Sequence, residues 1–161
     1  MSRGAGEAAD TPALAALRAA SVPHRVVVTP PAGSPEESAQ LQGIALAQLV
    51  RTIVVRRGAD DYVLVLVPGG RRFDWPKLRS HLGTSRLSLP DAEEAQHVTG
   101  YERGAITPFG ASRRWPVIVD ASVVALEQVA IGGGRRGVNV HLRPADLITS
   151  TAAAVVSVTT A

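Results

Sequence analysis

Hydrophobic and polar positions alternate along this chain in two periods, and the switches between them mark its elements. Thr11-Pro12 sets an N-cap residue before a proline at the first helical position. It predicts a helix to about Ala20 with Leu14 and Leu17 facing inward. His24 to Thr29 alternates and is rich in β-branched residues, which predicts a strand. Pro30-Pro31-Ala32-Gly33 reads as a loop, and Ser34-Pro35-Glu36-Glu37 carries a capping-box pattern opening a helix that ends near Gly43. After the short apolar turn Ile44 to Leu49, Val50–Arg57 and Tyr62–Val67 form a hairpin around Gly58-Ala-Asp-Asp61. Its second strand is almost wholly apolar, so both of its faces are expected to be buried.

The second half follows the same logic. Asp74 caps a helix to about Leu82, stopped by Gly83, and Pro90-Asp91 opens another to about Val98. Ser85 to Leu89 is a candidate short strand between them. Strands are expected at Pro116–Asp120, Leu126–Ile131 and Val138–Leu142, with a last helix opening at Arg143-Pro144-Ala-Asp146. The tail from Thr151 to Ala161 is apolar but weakly patterned and is assigned one edge strand. This order of elements predicts a mixed α/β (α+β) fold, with a single mixed sheet and helices packed around it. No repeat and no dividing linker is present, so residues 11–161 are expected to form one domain behind a flexible segment at 1–10.

Composition narrows the function classes. At 45% hydrophobic and 19% charged, the chain has enough apolar content for a core and too little charge for disorder. The longest purely apolar run, Val63 to Val67, is far short of a membrane span. Residues 1–10 lack the apolar core of a signal peptide, so a cytoplasmic location is expected. Absence of cysteine excludes disulfides, thiolate nucleophiles and cysteine-ligated zinc. His24, His81, His97 and His141 are widely spaced, and neither a metal nor another cofactor is expected. Of the 17 basic residues only Lys77 is a lysine; the arginines suit planar recognition of phosphate or carboxylate, or reflect codon bias. A net charge of +3 fits a modest nucleic-acid contact and not a groove tracking duplex DNA.

Candidate chemistry sits in two glycine-rich segments, Gly100 to Gly110 and Gly132 to Gly137. Bare N–H groups beside Arg135 and Arg136 make a cradle for an oxyanion, or simply a hairpin turn. Gly104-Ala105-Ile106-Thr107-Pro108 is either a tight reversal or a rigid loop presenting N–H and C=O groups to a ligand. Arg51, set among Leu49, Val50, Ile53, Val54 and Val55, either snorkels from an edge or points into a pocket with Thr52 beside it. Asp60-Asp61 and Glu93-Glu94 read as solvated faces, and Arg56-Arg57 and Arg113-Arg114 as surface charge or as a contact to a nucleic-acid backbone. A nucleophile elbow, a Walker loop and a dinucleotide fingerprint are all absent.

Taken together, these segments resemble the YbaK/prolyl-tRNA-synthetase-associated editing domains, a family of aminoacyl-tRNA deacylases. The resemblance runs from Thr11 to about Leu147. It rests on Thr11-Pro12-Ala13, Leu49-Val-Arg-Thr-Ile-Val-Val55, Thr99-Gly-Tyr-Glu-Arg-Gly-Ala-Ile-Thr-Pro-Phe-Gly110, Pro116-Val-Ile-Val-Asp120 and Gly133-Gly-Arg-Arg-Gly137. It implies a strongly curved sheet and hydrolysis of the ester joining a wrong small amino acid, such as Ala, Cys or Ser, to tRNA-Pro or a related tRNA. It also implies contact with the acceptor end and an association with a synthetase, with no membrane or DNA partner. The catalytic positions it points to are Arg51, Thr52 and Asn139; the substrate-binding ones are Gly100, Gly104, Ala105, Ile106, Thr107, Pro108, Gly132, Gly133, Gly134, Arg136 and Gly137. This chain carries Arg51 where the family has lysine, Asn139 where it has aspartate and Gly132 where it has serine. Those changes keep open a second expectation, a non-catalytic module that binds an acceptor end or a nucleotide in the same pocket.

Overall fold

A computed structural model describes residues 10–161. The expected flexible segment at 1–10 therefore lies, apart from Asp10, outside the described residues. The chain runs α1 (Pro12–Ala19), β1 (Arg25–Val28), α2 (Pro35–Gln42), a 3-10 turn (Leu46–Gln48), β2 (Val50–Gly58), β3 (Asp61–Pro68), β4 (Arg72–Phe73), α3 (Trp75–Leu82) and α4 (Ala92–Thr99). It continues with β5 (Val117–Asp120), a 3-10 turn (Ala121–Val123), β6 (Val129–Gly132), β7 (Val138–Leu142), α5 (Pro144–Thr151), β8 (Ala154–Val156) and β9 (Thr159–Thr160). No helix among the described residues is long and apolar enough to cross a membrane.

The mixed α/β class holds, but the strands divide into several sheets where one was expected. Four strands lie in the order β2-β3-β5-β8, three in the order β1-β7-β6, and β4 pairs with β9. The hairpin β2–β3 is antiparallel, whereas β3–β5 and β5–β8 are parallel. An isolated parallel bridge between Leu49 and Ala130 links the two larger sheets.

β3 is the keystone, buried on both faces from Tyr62 to Pro68 as its apolar run predicts. Tyr62, Leu64 and Leu66 join a core with Leu14 and Leu17 of α1, Val98 of α4, and residues of β5, β6 and β7. Val63, Val65 and Val67 join a second core with Leu78 of α3, Ile118 and Val158. Period-2 alternation thus feeds two cores from one strand. The tail yields two short strands where one was expected, and β9 captures β4, a two-residue pair too short to carry a periodic signal. Ser85–Leu89 makes no strand, only a bridge from Ser88 to Arg56.

Caps fix the helix starts. Ser34, Asp74 and Asp91 each accept from the backbone N–H three residues on. Thr11 does more: its hydroxyl accepts from Leu14 N–H and donates to the Gly133 carbonyl at 2.6 Å, fastening α1 to the β6–β7 turn.

One buried polar network ties α2 to the three-stranded sheet. His141 on β7 is 2% exposed. Its Nε2 lies 2.9 Å from Gln42 Oε1, and its Nδ1 lies 3.0 Å from Gln128 Nε2 and 3.3 Å from an Arg25 guanidinium nitrogen. Two donors at Nδ1 require a neutral ring protonated at Nε2. Burial, and then the Arg25 charge, hold its pKa below the ordinary value of 6.5. The folded state therefore binds fewer protons than the unfolded chain once pH drops below about 6.5. Stability is full above that value and declines as pH falls through it toward the folded-state pKa. Urea denaturation between pH 7.5 and 5 should show this decline, and His141→Gln should be less stable at pH 7.5 with a flatter slope.

Candidate functional site

β3 is bonded on both edges, so β2 occupies the margin of its sheet. Its outer side is engaged only at the ends, by the bridge at Leu49–Ala130 and by paired backbone bonds between Arg56 and Ser88. Between these ends lies a cavity of about 720 Å³. One wall is Leu49 to Val54; another is the ends of β6 and β7 with Gly132, Gly137 and Asn139. Gly104 and Ile106 cover it from the loop after α4, while Gly33, Ser34 and Ser38 border it from α2 and the loop before it.

Gly132 explains how the 104–108 loop reaches the sheet. A Cβ there would sit 3.1 Å from the Ile106 carbonyl oxygen and 3.3 Å from that of Ala105. A serine at this position would press on both carbonyls, so glycine suits a loop drawn close over the end of β6. Behind it, Tyr101 Oη donates to the Phe109 carbonyl at 2.7 Å and braces the loop from inside. Burial raises the Tyr101 pKa to about 12, which keeps this donor protonated.

Arg51 is exposed at the cavity and makes no hydrogen bond or ion pair with any described residue. Next to it, Thr52 Oγ1 is the one buried side-chain polar atom without a partner among the described residues. An unmade bond of that kind costs about 1–3 kcal/mol unless water or a ligand completes it. Asn139 is held firmly: Nδ2 donates to the Val27 carbonyl at 3.0 Å, with Thr29 Oγ1 and the Gly137 carbonyl each at 3.4 Å. Three acceptors around one amide group place nitrogen there and leave Oδ1 without a donor from the described residues.

Arg103 and Arg136 also line the cavity, and Arg136 donates to the Arg103 carbonyl at 3.1 Å while Glu102 lies 3.9 Å from it. The lining includes no carboxylate, imidazole or lysine. It is a cationic space without a side-chain base among the described residues.

Eight of the sequence-derived positions meet here: Arg51, Thr52, Asn139, Gly104, Ile106, Gly132, Arg136 and Gly137. The other six stand behind the lining. Gly100 is the left-handed C-cap of α4, with its backbone N–H on the Gln96 carbonyl. Ala105 and Thr107 are buried, and Thr107 Oγ1 accepts from Phe109 N–H; Pro108 belongs to the same braced loop. Gly133 spends its N–H on the Val138 carbonyl, and Gly134 packs against Tyr101 and Thr11. The stretch from Thr29 to Ser38, Leu89-Pro90 and Arg103 were not anticipated. The first stretch was signalled only by the Pro-Pro-Ala-Gly loop before a capped helix, whereas Arg103 lies within the glycine-rich segment Gly100 to Gly110. Lys77 is not part of the lining; its Nζ reaches Ser157 Oγ and the Thr159 carbonyl. Most of the paired charges elsewhere form ion pairs: Arg57 with Asp61, Arg113 with Asp60, and Arg56 with Glu94.

Asn139 supports a direct test. A carboxylate in its place would face the Val27 and Gly137 carbonyls with no donor of its own. Asn139→Asp should cost about 1–3 kcal/mol at neutral pH and recover part of it at acid pH. Urea titrations at pH 7.5 and 5 read both numbers.

Comparison with known proteins places this geometry. The model of the aminoacyl-tRNA editing domain matches residues 29–150. The multifunctional Ser/Thr-tRNA deacylase ProXp-y of Escherichia coli (strain K12) is 27% identical over 139 residues, covering 84% of this chain and 83% of that protein. The proline–tRNA ligase of Thermosipho melanesiensis is 30% identical over 122 residues, covering 74% of this chain, which spans only 21% of the ligase's length. A crystal structure provisionally described as a trans-editing enzyme for prolyl tRNA synthetase superposes with a TM-score of 0.85 at 26% identity, over 93% of this chain and 96% of that one. With both the cavity-forming elements and three quarters of its length matched in this way, the chain belongs to the aminoacyl-tRNA editing domain family.

Proposed function

We propose that this protein hydrolyses the ester of mischarged aminoacyl-tRNA, acting in trans on a small amino acid. The observation that carries this reading is the cavity itself: it is lined by three arginines, a partnerless buried hydroxyl and close-packed glycines, and by no acid. Such a lining suits an anionic acceptor end and a developing oxyanion. Similarity to ProXp-y along most of both chains supports the same reaction class.

Arg51 binds the terminal phosphate or ribose through its free guanidinium, and Thr52 Oγ1 completes its missing bond on a ribose hydroxyl. The loop over Gly132 positions the aminoacyl carbonyl, and Asn139 Oδ1 accepts from the substrate's ammonium group or from the attacking water. Water adds to the ester carbonyl carbon, and the carbonyl electron pair moves to oxygen. Collapse expels the ribose oxygen, which takes a proton, leaving free amino acid and tRNA. No lining side chain can accept water's proton at neutral pH. It passes to solvent or to a group of the substrate, and the protein contributes position and charge. Oriented contacts of that kind can supply several kcal/mol of barrier lowering without a covalent intermediate.

The same lack of a base favours the second reading, a module that binds the acceptor end without turnover. Single-turnover deacylation of tRNAs charged with Pro, Ala, Cys, Ser and Thr separates the two. Turnover of at least one small-residue ester above its spontaneous rate is expected. Arg51→Ala should slow it by about 10- to 100-fold, the worth of roughly 1.5–3 kcal/mol for a charged hydrogen bond, and Arg51→Lys should retain most of it. Saturable binding with no turnover across the panel would leave the binding module standing instead.

A further inference from the structure

The backbone of β2 carries a second feature that the side chains do not use. Four backbone hydrogen bonds fix which way its peptide groups point. Leu49 C=O accepts from Gly69 N–H, beyond the end of β3, so Leu49 faces the hairpin partner. Arg56 exchanges both of its backbone bonds with Ser88, so Arg56 faces outward. Leu64, which stands opposite Val54, gives its N–H to the Pro116 carbonyl on the far side, so Val54 and Leu64 turn their backs on each other. Pairing from Val50 to Arg56 runs without a bulge. Strict alternation then aims the N–H and C=O groups of Thr52 and Val54 away from β3, at the cavity that both residues line.

The open stretch is short and closed at both ends, by Ala130 at Leu49 and by Ser88 at Arg56. A peptide strand cannot run through it, so β-augmentation is excluded. The edge suits a compact planar group with a donor and an acceptor side by side. Along a strand edge, the carbonyl of one residue and the N–H two residues later offer the complementary pair. Apolar surface stands beside it: Leu89, 56% exposed, with Pro90 and Ala95 line the same cavity. The partnerless Thr52 hydroxyl lies within the same stretch.

We propose that the free edge of β2 is a base-reading subsite for the 3′-terminal adenine of the substrate. The Thr52 carbonyl accepts from the adenine 6-amino group, the Val54 N–H donates to N1, and Leu89 and Pro90 pack against the base. This rests on the acceptor-end reading above and adds what that reading leaves open, the group that identifies the last nucleotide. Inosine reverses both hydrogen-bonding roles, purine riboside removes the amino donor and 1-deazaadenosine removes the acceptor.

The test uses the full chain with an acylated RNA minihelix ending in adenosine, inosine, purine riboside or 1-deazaadenosine. It is paired with amide-proton NMR using 3′-aminoacylamido-adenosine and its inosine counterpart, neither of which can be hydrolysed. Deacylation efficiency at least about ten-fold higher for adenosine than for each analogue is expected, with the Val54 amide shifting for the adenosine probe only. Equal rates on all four ends would overturn the subsite and leave the deacylase intact. If no end is deacylated, the deacylase reading fails and the amide signals decide. A Val54 shift selective for adenosine then upholds the subsite in a binding module, and no selective shift overturns it.

Discussion

The site depends on one constraint: β2 has hydrogen-bonding partners on one side only. β3 is bonded by β2 and β5 and buried on both faces, so it cannot lie at a sheet margin. That leaves β2 at the edge, where a further strand would ordinarily pair with it or a charge would protect it. Here β6 bridges only to Leu49, just before β2, and the Ser88 segment bonds to Arg56, and the cavity lies between these two points. A complete ladder from β6 would have satisfied the edge and erased the site. The same placement puts Arg51 and Thr52 at the lining without inserting either into a core.

The opposite wall answers to a different requirement. β7 is the middle strand of its sheet, so Asn139 is locked between β1 and β6, opposite Val27 on one side and Gly132 on the other. Two residues along the same strand, His141 holds Gln42 of α2, the helix whose first turn borders the cavity. Strand β7 therefore couples a buried neutral imidazole to the position of the site's rim. The coupling is through packing and hydrogen bonds, since His141 itself does not reach the lining.

Much of this was legible in sequence because it is local. Caps at Thr11, Ser34, Asp74 and Asp91 sit where side-chain oxygens can reach their own helices, and β3 is written in an unbroken apolar run. Gly132 and Gly137 could be tied to a turn, but not to what approaches it. Long-range pairing decided the rest. The segment from Thr29 to Ser38 borders the site because β1 pairs with β7 and Thr29 N–H reaches the Gly137 carbonyl at 2.8 Å, a register no local pattern encodes. Gly133 and Gly134 carried the same signature as Gly132, yet hairpin bonding and packing on Tyr101 consume them. Composition marks glycines that let backbones approach; it does not say which backbone arrives.

If, as the resemblance implies, Arg51 stands where the family has lysine and Asn139 where it has aspartate, the two differences make sense as a pair. An aspartate facing a lysine is a balanced site, in which each charge lowers the field the other offers to a ligand. Asn139 is neutral and is oriented by acceptors, with Nδ2 on the Val27 carbonyl, so it draws nothing from Arg51. Arg51 has no hydrogen bond or ion pair with any described residue, and a guanidinium can hold a phosphate or ribose through a planar fork where ammonium offers a point charge. Arg103 and Arg136 extend that field; Glu102, 3.9 Å from Arg136, offsets part of it from outside the lining. On the proposed role of Arg51 the trade is between grip and proton transfer: arginine cannot give up its proton near neutral pH, so a residue that gripped the substrate this way could not also act as its base. A site built this way must draw its rate from placement of the ester and the water, which is what a braced loop over a glycine and an open strand edge can provide.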